Sequence, residues 1–93
     1  SLNSETQFKE LIDLLKKKYF NQMRKWVGVN IDNDTAVIFR RLYDTARIHI
    51  KDSSIPQLVL TLADYQYKAA FVADQEVNLV ACLTEIMAEC QFK

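Results

Sequence analysis

The C-terminal part of the chain, residues 55–90, constrains the fold most. It divides into two helical segments that are apolar almost all the way round. In the first, the polar residues recur at i, i+4, i+7 and i+11, which is one helix face: Gln57, Thr61, Asp64 and Lys68. The second predicted helix places its polar stripe at Asn78, Cys82, Glu85 and Glu89. A surface helix needs only about 100° of apolar arc. Both helices are therefore predicted to be central in the domain or to bury a second face against another chain.

Composition then excludes most other fold classes. The chain has 93 residues, 49% of them hydrophobic, which suits a single domain with one core. With only one glycine and one proline, the chain lacks the turn residues that hairpin-rich sheets and barrels need. No alternating run reads as a strand, and no apolar run or leader predicts a membrane segment or export. The prediction is a soluble, intracellular, all-α, five-helix bundle spanning residues 3–93, with Ser1-Leu2 expected to be a cloning remnant.

Capping signals divide the N-terminal half into three helices. A capping box is predicted at Ser4 and Gln7, and Asp34 is predicted to cap helix three. The break between helices one and two is placed near Lys18, although the three lysines there contain no turn residue. Gly28 is the predicted C-terminal cap of helix two.

The C-terminal half contains two more predicted caps. Ser54 is predicted to cap helix four, with Pro56 in its first turn, and Asp74 to cap helix five. Between these helices the chain reads Ala70 to Ala73, without glycine.

Chemistry-bearing residues are sparse. Cys82 and Cys90 lie eight residues apart on one predicted helix, roughly 12 Å, which is too far for a disulfide. With His49 the lone histidine, one chain cannot supply a tetrahedral zinc set. Asp64 and Glu85 are expected to be solvated or ion-paired acids rather than a catalytic pair. A single glycine excludes a phosphate-cradling loop. We expect no catalytic, cofactor-binding or metal-binding residues in this chain.

Charge is unevenly distributed along the chain. Residues 1–51 hold ten bases and six acids (+4), and residues 52–93 hold two bases and six acids (−4). This pattern fits ordinary solvated faces, or like domains that meet head to tail, a basic side against an acidic one. The alternative function is a small nucleic-acid-binding module that uses the basic first half. Its candidate residues are Lys16, Lys17, Lys18, Arg24, Lys25, Arg40 and Arg41, although the neighbouring Tyr19 and Trp26 have the spacing of core residues.

Gln66 stands out on the apolar side of helix four, between Tyr65 and Tyr67. A buried amide needs hydrogen-bond partners. Gln66 is either a core glutamine bonded to a neighbouring helix or an amide at an intersubunit seam, where it would set orientation.

The run from Leu62 to Leu83 resembles the C-terminal end of clamp-loader small subunits, as do Phe39–Asp44 and Ser54–Gln57. In that family one helix carries an acidic-aromatic run, a short break follows, and a leucine-rich helix closes the chain. The sequence of these segments is most similar to the collar domain of the ATPase subunit of tailed-phage sliding-clamp loaders. Many relatives have glycine near the break, where this chain has Ala70 to Ala73.

The resemblance implies a function in DNA replication. Such a subunit is an AAA+ ATPase that uses ATP and Mg²⁺ to place a sliding clamp on primer–template DNA, and its collar domains join five subunits into a ring. Nothing here matches the ATP site, so the chain itself is expected to be an oligomerisation domain without enzyme activity, located in the host cytoplasm. Its implied partners are other clamp-loader subunits, with the clamp and DNA bound by the complete protein. The predicted interface residues are Tyr65, Gln66, Tyr67, Phe71, Leu79 and Met87.

Overall fold

The computed structural model describes residues 4–93, without the side chain of Ser4. This part of the chain forms five α-helices, joined by short connections: α1 (Ser4–Lys17), α2 (Phe20–Asn30), α3 (Thr35–His49), α4 (Ile55–Ala69) and α5 (Gln75–Glu89). The predicted all-α, five-helix architecture is confirmed. Ser1 and Leu2, and the Ser4 hydroxyl of the predicted capping box, lie outside what the structure describes.

One core holds the helices together. α1 packs against α2, α3 and α5, while α4 packs against α3 and α5. Phe8 and Trp26 meet edge-on with ring centroids 5.1 Å apart, and the Trp26 indole N–H donates to the backbone oxygen of Gln7 at 3.1 Å. Within the described residues, no helix has both the length and the apolarity that crossing a membrane requires.

Lys18 forms the break between α1 and α2, as predicted. Its φ of 61° places it in the left-handed region, which a lysine rarely adopts. The Lys18 ammonium donates to the backbone oxygen of Met87 at 2.6 Å, in the last turn of α5. The last carbonyls of a helix carry partial negative charge, so the ammonium both satisfies the Met87 carbonyl and opposes the charge at this helix end.

The other predicted helix ends divide into two confirmed and two wrong. Asp34 accepts from the Ala36 amide at 2.9 Å, and Asp74 accepts from the Val77 amide at 3.1 Å. Gly28 is not a cap, because it has no positive φ and α2 continues to Asn30. Ser54 makes no side-chain cap for α4.

The Ser54 hydroxyl instead holds the C-terminal segment, accepting from the Gln91 amide at 3.0 Å. That segment runs antiparallel to the end of α3, where Ile50 and Phe92 form an isolated bridge. The Lys51 amide donates to Gln91 and the Lys93 amide donates to His49, each at 2.9 Å. The sequence did not indicate this pairing. It closes the bundle by joining the end of α5 to the α3–α4 connection.

Candidate assembly surface

The polar stripes of α4 and α5 face each other inside the bundle. Thr61 is only 2% exposed and Asn78 only 7%. The Asn78 side-chain amide donates to the backbone oxygen of Tyr65 at 3.1 Å, and the Gln75 amide donates to Ala69 at 2.8 Å. These polar residues therefore join α4 to α5. Leu58 and Leu62 of α4 enter the core, and the rest of its apolar side faces outward.

Glu85 is the centre of this polar contact. Its carboxylate accepts from the Thr61 hydroxyl at 3.2 Å and from the Tyr65 hydroxyl at 3.0 Å, while Gln57 donates to Thr61 at 3.0 Å. Burial, together with the hydrogen bond to Glu85, raises the pKa of Tyr65 to about 12. The prediction of a solvated or ion-paired Glu85 is corrected, because hydroxyl groups satisfy the carboxylate.

Asp64 follows the prediction made for it. Its carboxylate pairs with the Lys68 ammonium at 3.0 Å, one helical turn away. The same ammonium lies 4.7 Å from the centre of the Tyr65 ring. The charges beside the outward side of α4 are thus already matched to one another.

The outward side of α4 exposes large apolar side chains at helical spacing. Leu60 is 67% exposed, Tyr67 70% and Phe71 72%, with the exposed Ala63 between them. The Tyr67 and Phe71 ring centroids lie 5.2 Å apart, so the two aromatics form one feature. We call Leu60, Ala63, Tyr67 and Phe71 the α4 outer face.

A shallow groove of about 270 Å³ borders this face, between α3 and α4. Its lining is mostly apolar: Phe39, Arg40, Tyr43, Val59, Leu62, Ala63 and Gln66. Gln66 is exposed at the groove, so it is not a core glutamine. On the opposite wall, Arg40 pairs with Asp44 at 2.9 Å and lies 5.6 Å from the centre of the Tyr43 ring.

The six residues predicted at the interface fall into two groups. Gln66, Tyr67 and Phe71 are exposed together, and Tyr65 is half-buried beside them. Leu79 is 2% exposed and Met87 7%, and both belong to the chain's own core. Placing these two at a surface is corrected, because α5 is enclosed by α1, α2 and α4.

Leu60 and Val59 were missed as surface residues. The helical spacing could have placed Leu60 at the surface, because it lies seven residues before Tyr67 and therefore on the same helix face.

The thiols and the histidine offer no assembled reactive site. Cys82 and Cys90 are both buried and free, as predicted. Burial is the main cause that raises the pKa of each thiol, so both stay protonated and weakly nucleophilic. His49 is half-buried at the end of α3. Within residues 4–93, no cluster of three or more His, Cys, Asp or Glu side chains is arranged to hold a metal ion.

Several basic residues of the nucleic-acid alternative have partners within the chain. Lys17 pairs with Asp13 at 3.0 Å, Lys18 binds Met87, and Arg40 pairs with Asp44. Trp26 is buried as expected, whereas Tyr19 is 48% exposed rather than a core residue. The Lys17 ammonium also lies 5.9 Å from the centre of the exposed Tyr19 ring.

No protein-family model matches the sequence, and a search of curated proteins finds no significant match.

Proposed function

We propose that this chain is a protein assembly domain that binds a neighbouring subunit of the same kind through the α4 outer face. One observation carries the proposal: Leu60, Tyr67 and Phe71 lie on one side of α4, each two-thirds or more exposed. Single exposed apolar residues are ordinary, but a contiguous set beside a groove is typical of an interaction surface.

The energetics favour burial of this face. Burying one large apolar side chain contributes about 1.5–3 kcal/mol. Aromatic residues are over-represented among the side chains that dominate binding energy at interfaces. Tyr67 and Phe71 already touch, with centroids 5.2 Å apart, so little side-chain order has to be gained on binding. The nearby Asp64 and Lys68 neutralise each other, so neither of them enters the contact as an unmatched charge.

The sequence resemblance supports a specific setting for this assembly. As a clamp-loader collar domain, the chain would hold ATPase subunits in a ring that loads the polymerase clamp onto primer–template DNA in phage replication. ATP, Mg²⁺, the clamp and the DNA would then be bound by other parts of the complete protein. The five-helix architecture is compatible with this proposal.

Sedimentation velocity over a range of concentrations tests the assembly function. We expect the native chain to associate, and Tyr67→Glu/Phe71→Ser to remain monomeric because a charge and a hydroxyl replace the apolar contact. Both side chains are exposed, so helix content measured by circular dichroism should not change. The matched control is Val29→Ser, which alters a side chain 77% exposed on α2 and should associate as the native chain does.

A native chain that stays monomeric at high concentration would contradict the proposal. So would association that survives Tyr67→Glu/Phe71→Ser unchanged.

A further inference from the structure

The α4 outer face continues into an acidic end of the molecule. Asp74 and Glu76 follow Phe71 within five residues, and both are exposed. Asp74 caps α5, and the nearby Lys68 is paired with Asp64. Among the described residues neither Asp74 nor Glu76 takes part in an ion pair, so this end presents two aromatic rings beside two unpaired carboxylates.

A basic groove lies on another side of the bundle, between α1, the end of α3 and the C-terminal segment. Its lining includes Lys9, Lys16, His49 and Lys93, and its acid Asp13 is already paired with Lys17 at 3.0 Å. Among residues 4–93, no ion pair involves Lys9, Lys16 or Lys93. These lysines therefore leave a net positive groove on a chain whose formal net charge is zero.

An apolar contact point adjoins the basic groove. A neighbouring groove of about 360 Å³ shares Lys9 and His49 and also contains Ile48, whose side chain is 58% exposed. The acids in this second groove are Glu5 and Asp44, and Asp44 is bound to Arg40 at 2.9 Å. The joined surface thus combines an exposed aliphatic side chain with unpaired lysines.

We propose that these two surfaces bind each other between copies of the chain. The aromatic end of the α4 outer face, Tyr67 and Phe71, seats against Ile48 of a second copy, and Asp74 and Glu76 face its Lys9 and Lys16. This proposal rests on the assembly function above and names the surface that receives the α4 outer face. Opposite charges around an apolar contact select the partner and its orientation.

The contact joins unlike surfaces, so it is head to tail. After two copies bind, the pair still has one unused surface of each kind, so copies add until a ring closes or an open chain grows. Rim charges of this type are screened by salt, so association should weaken as ionic strength rises.

Two charge variants test the head-to-tail contact. The acidic-end variant is Asp74→Asn/Glu76→Lys, in which asparagine retains the capping ability of position 74. The groove variant is Lys9→Glu/Lys16→Glu. Alone, each should weaken self-association roughly tenfold or more, because like charges then meet across the contact. The control is Arg47→Glu/Lys51→Glu, which changes the net charge as much as the groove variant does. Neither residue lines the two grooves, so this control should associate as the native chain does.

Mixing the two variants gives the decisive measurement. The intact groove of the acidic-end variant can bind the intact acidic end of the groove variant, and the two reversed surfaces also carry opposite charges. We therefore expect mass photometry and sedimentation of the mixture to show assemblies that contain both variants in equal numbers. Self-association of the groove variant at native strength would overturn the head-to-tail contact but leave the assembly function standing if Tyr67→Glu/Phe71→Ser still dissociates. A native chain that never associates would overturn both. A mixture that remains monomeric would overturn the head-to-tail contact.

Discussion

Lys18 shows how one residue can serve two purposes that the sequence does not reveal. Its left-handed backbone, at φ 61°, turns the chain between α1 and α2, and its ammonium binds the last turn of α5. Asparagine or glycine would make the same turn with less strain, but neither could reach Met87. The break was predictable from the end of the apolar periodicity of α1, whereas the contact with α5 depends on tertiary structure.

Replacing Lys18 separates its two roles. Lys18→Ala removes the bond to Met87 and keeps the backbone strain, whereas Lys18→Gly removes both. We expect the glycine variant to be more stable than the alanine variant by about 1 kcal/mol, the reverse of their helix propensities. Urea unfolding measures the difference. Equal stabilities, or a more stable alanine variant, would contradict the left-handed conformation.

The Tyr65 hydroxyl should titrate above the ordinary range of a tyrosine side chain. Burial and the hydrogen bond to Glu85 raise its pKa from 10.0 to about 12 in the folded chain. The neutral hydroxyl is favoured by folding, so its contribution to stability is complete below pH 10 and is lost as the pH rises from about 10 to about 12. Ultraviolet absorbance of the phenolate should show one late transition, and Tyr65→Phe should remove it. A titration unchanged by that substitution would refute the assignment.

At the scale of helices, the sequence predicts contacts within one helix well, but it does not predict contacts that depend on a distant partner. Asp34 and Asp74 cap their own helices, a contact within a few residues that sequence spacing describes well. The predicted cap at Ser54 is wrong because the amide of Gln91, which is distant in the chain, binds its hydroxyl. The surface of α4 was only half predicted: periodicity identified its polar and apolar sides, but not that the polar side faces α5. That choice depends on the hydroxyls of Thr61 and Tyr65, which both donate to the Glu85 carboxylate.

Gly28 is a correctable weakness within α2. It lies inside the helix without a positive φ, and an added methyl would meet only the Glu76 carboxylate, at 3.9 Å. Gly28→Ala should therefore stabilise the chain by about 0.5–1 kcal/mol, since alanine loses less backbone entropy on folding. For a domain of this size the midpoint of thermal unfolding should rise by roughly 2–8 °C. A lower midpoint would indicate that the chain needs glycine's conformational freedom here.

At the scale of the whole molecule, the C-terminal segment closes the bundle, and no periodicity in the sequence predicts this contact. Residues 91–93 add no helix, yet they bind the end of α3 through two backbone hydrogen bonds and bind Ser54 through a third contact. These pairings join α5 to the α3–α4 connection, so the α4 outer face and the basic groove are held on one rigid body. The sequence does not predict this pairing, because three residues carry too little pattern to indicate a partner.

Ser54→Ala tests this closure directly. The substitution leaves the partly buried Gln91 amide without its acceptor, which should cost about 1–3 kcal/mol. Hydrogen exchange should become faster at Gln91 and Lys93, while the first turn of α4 keeps its native protection because Ser54 makes no side-chain cap there. Ser53→Ala, at the exposed neighbouring position, is the matched control and should change neither stability nor exchange. Faster exchange confined to the start of α4 would instead mean that the hydroxyl caps α4 in solution. The C-terminal segment would then owe its position to Phe92 and the two backbone hydrogen bonds alone.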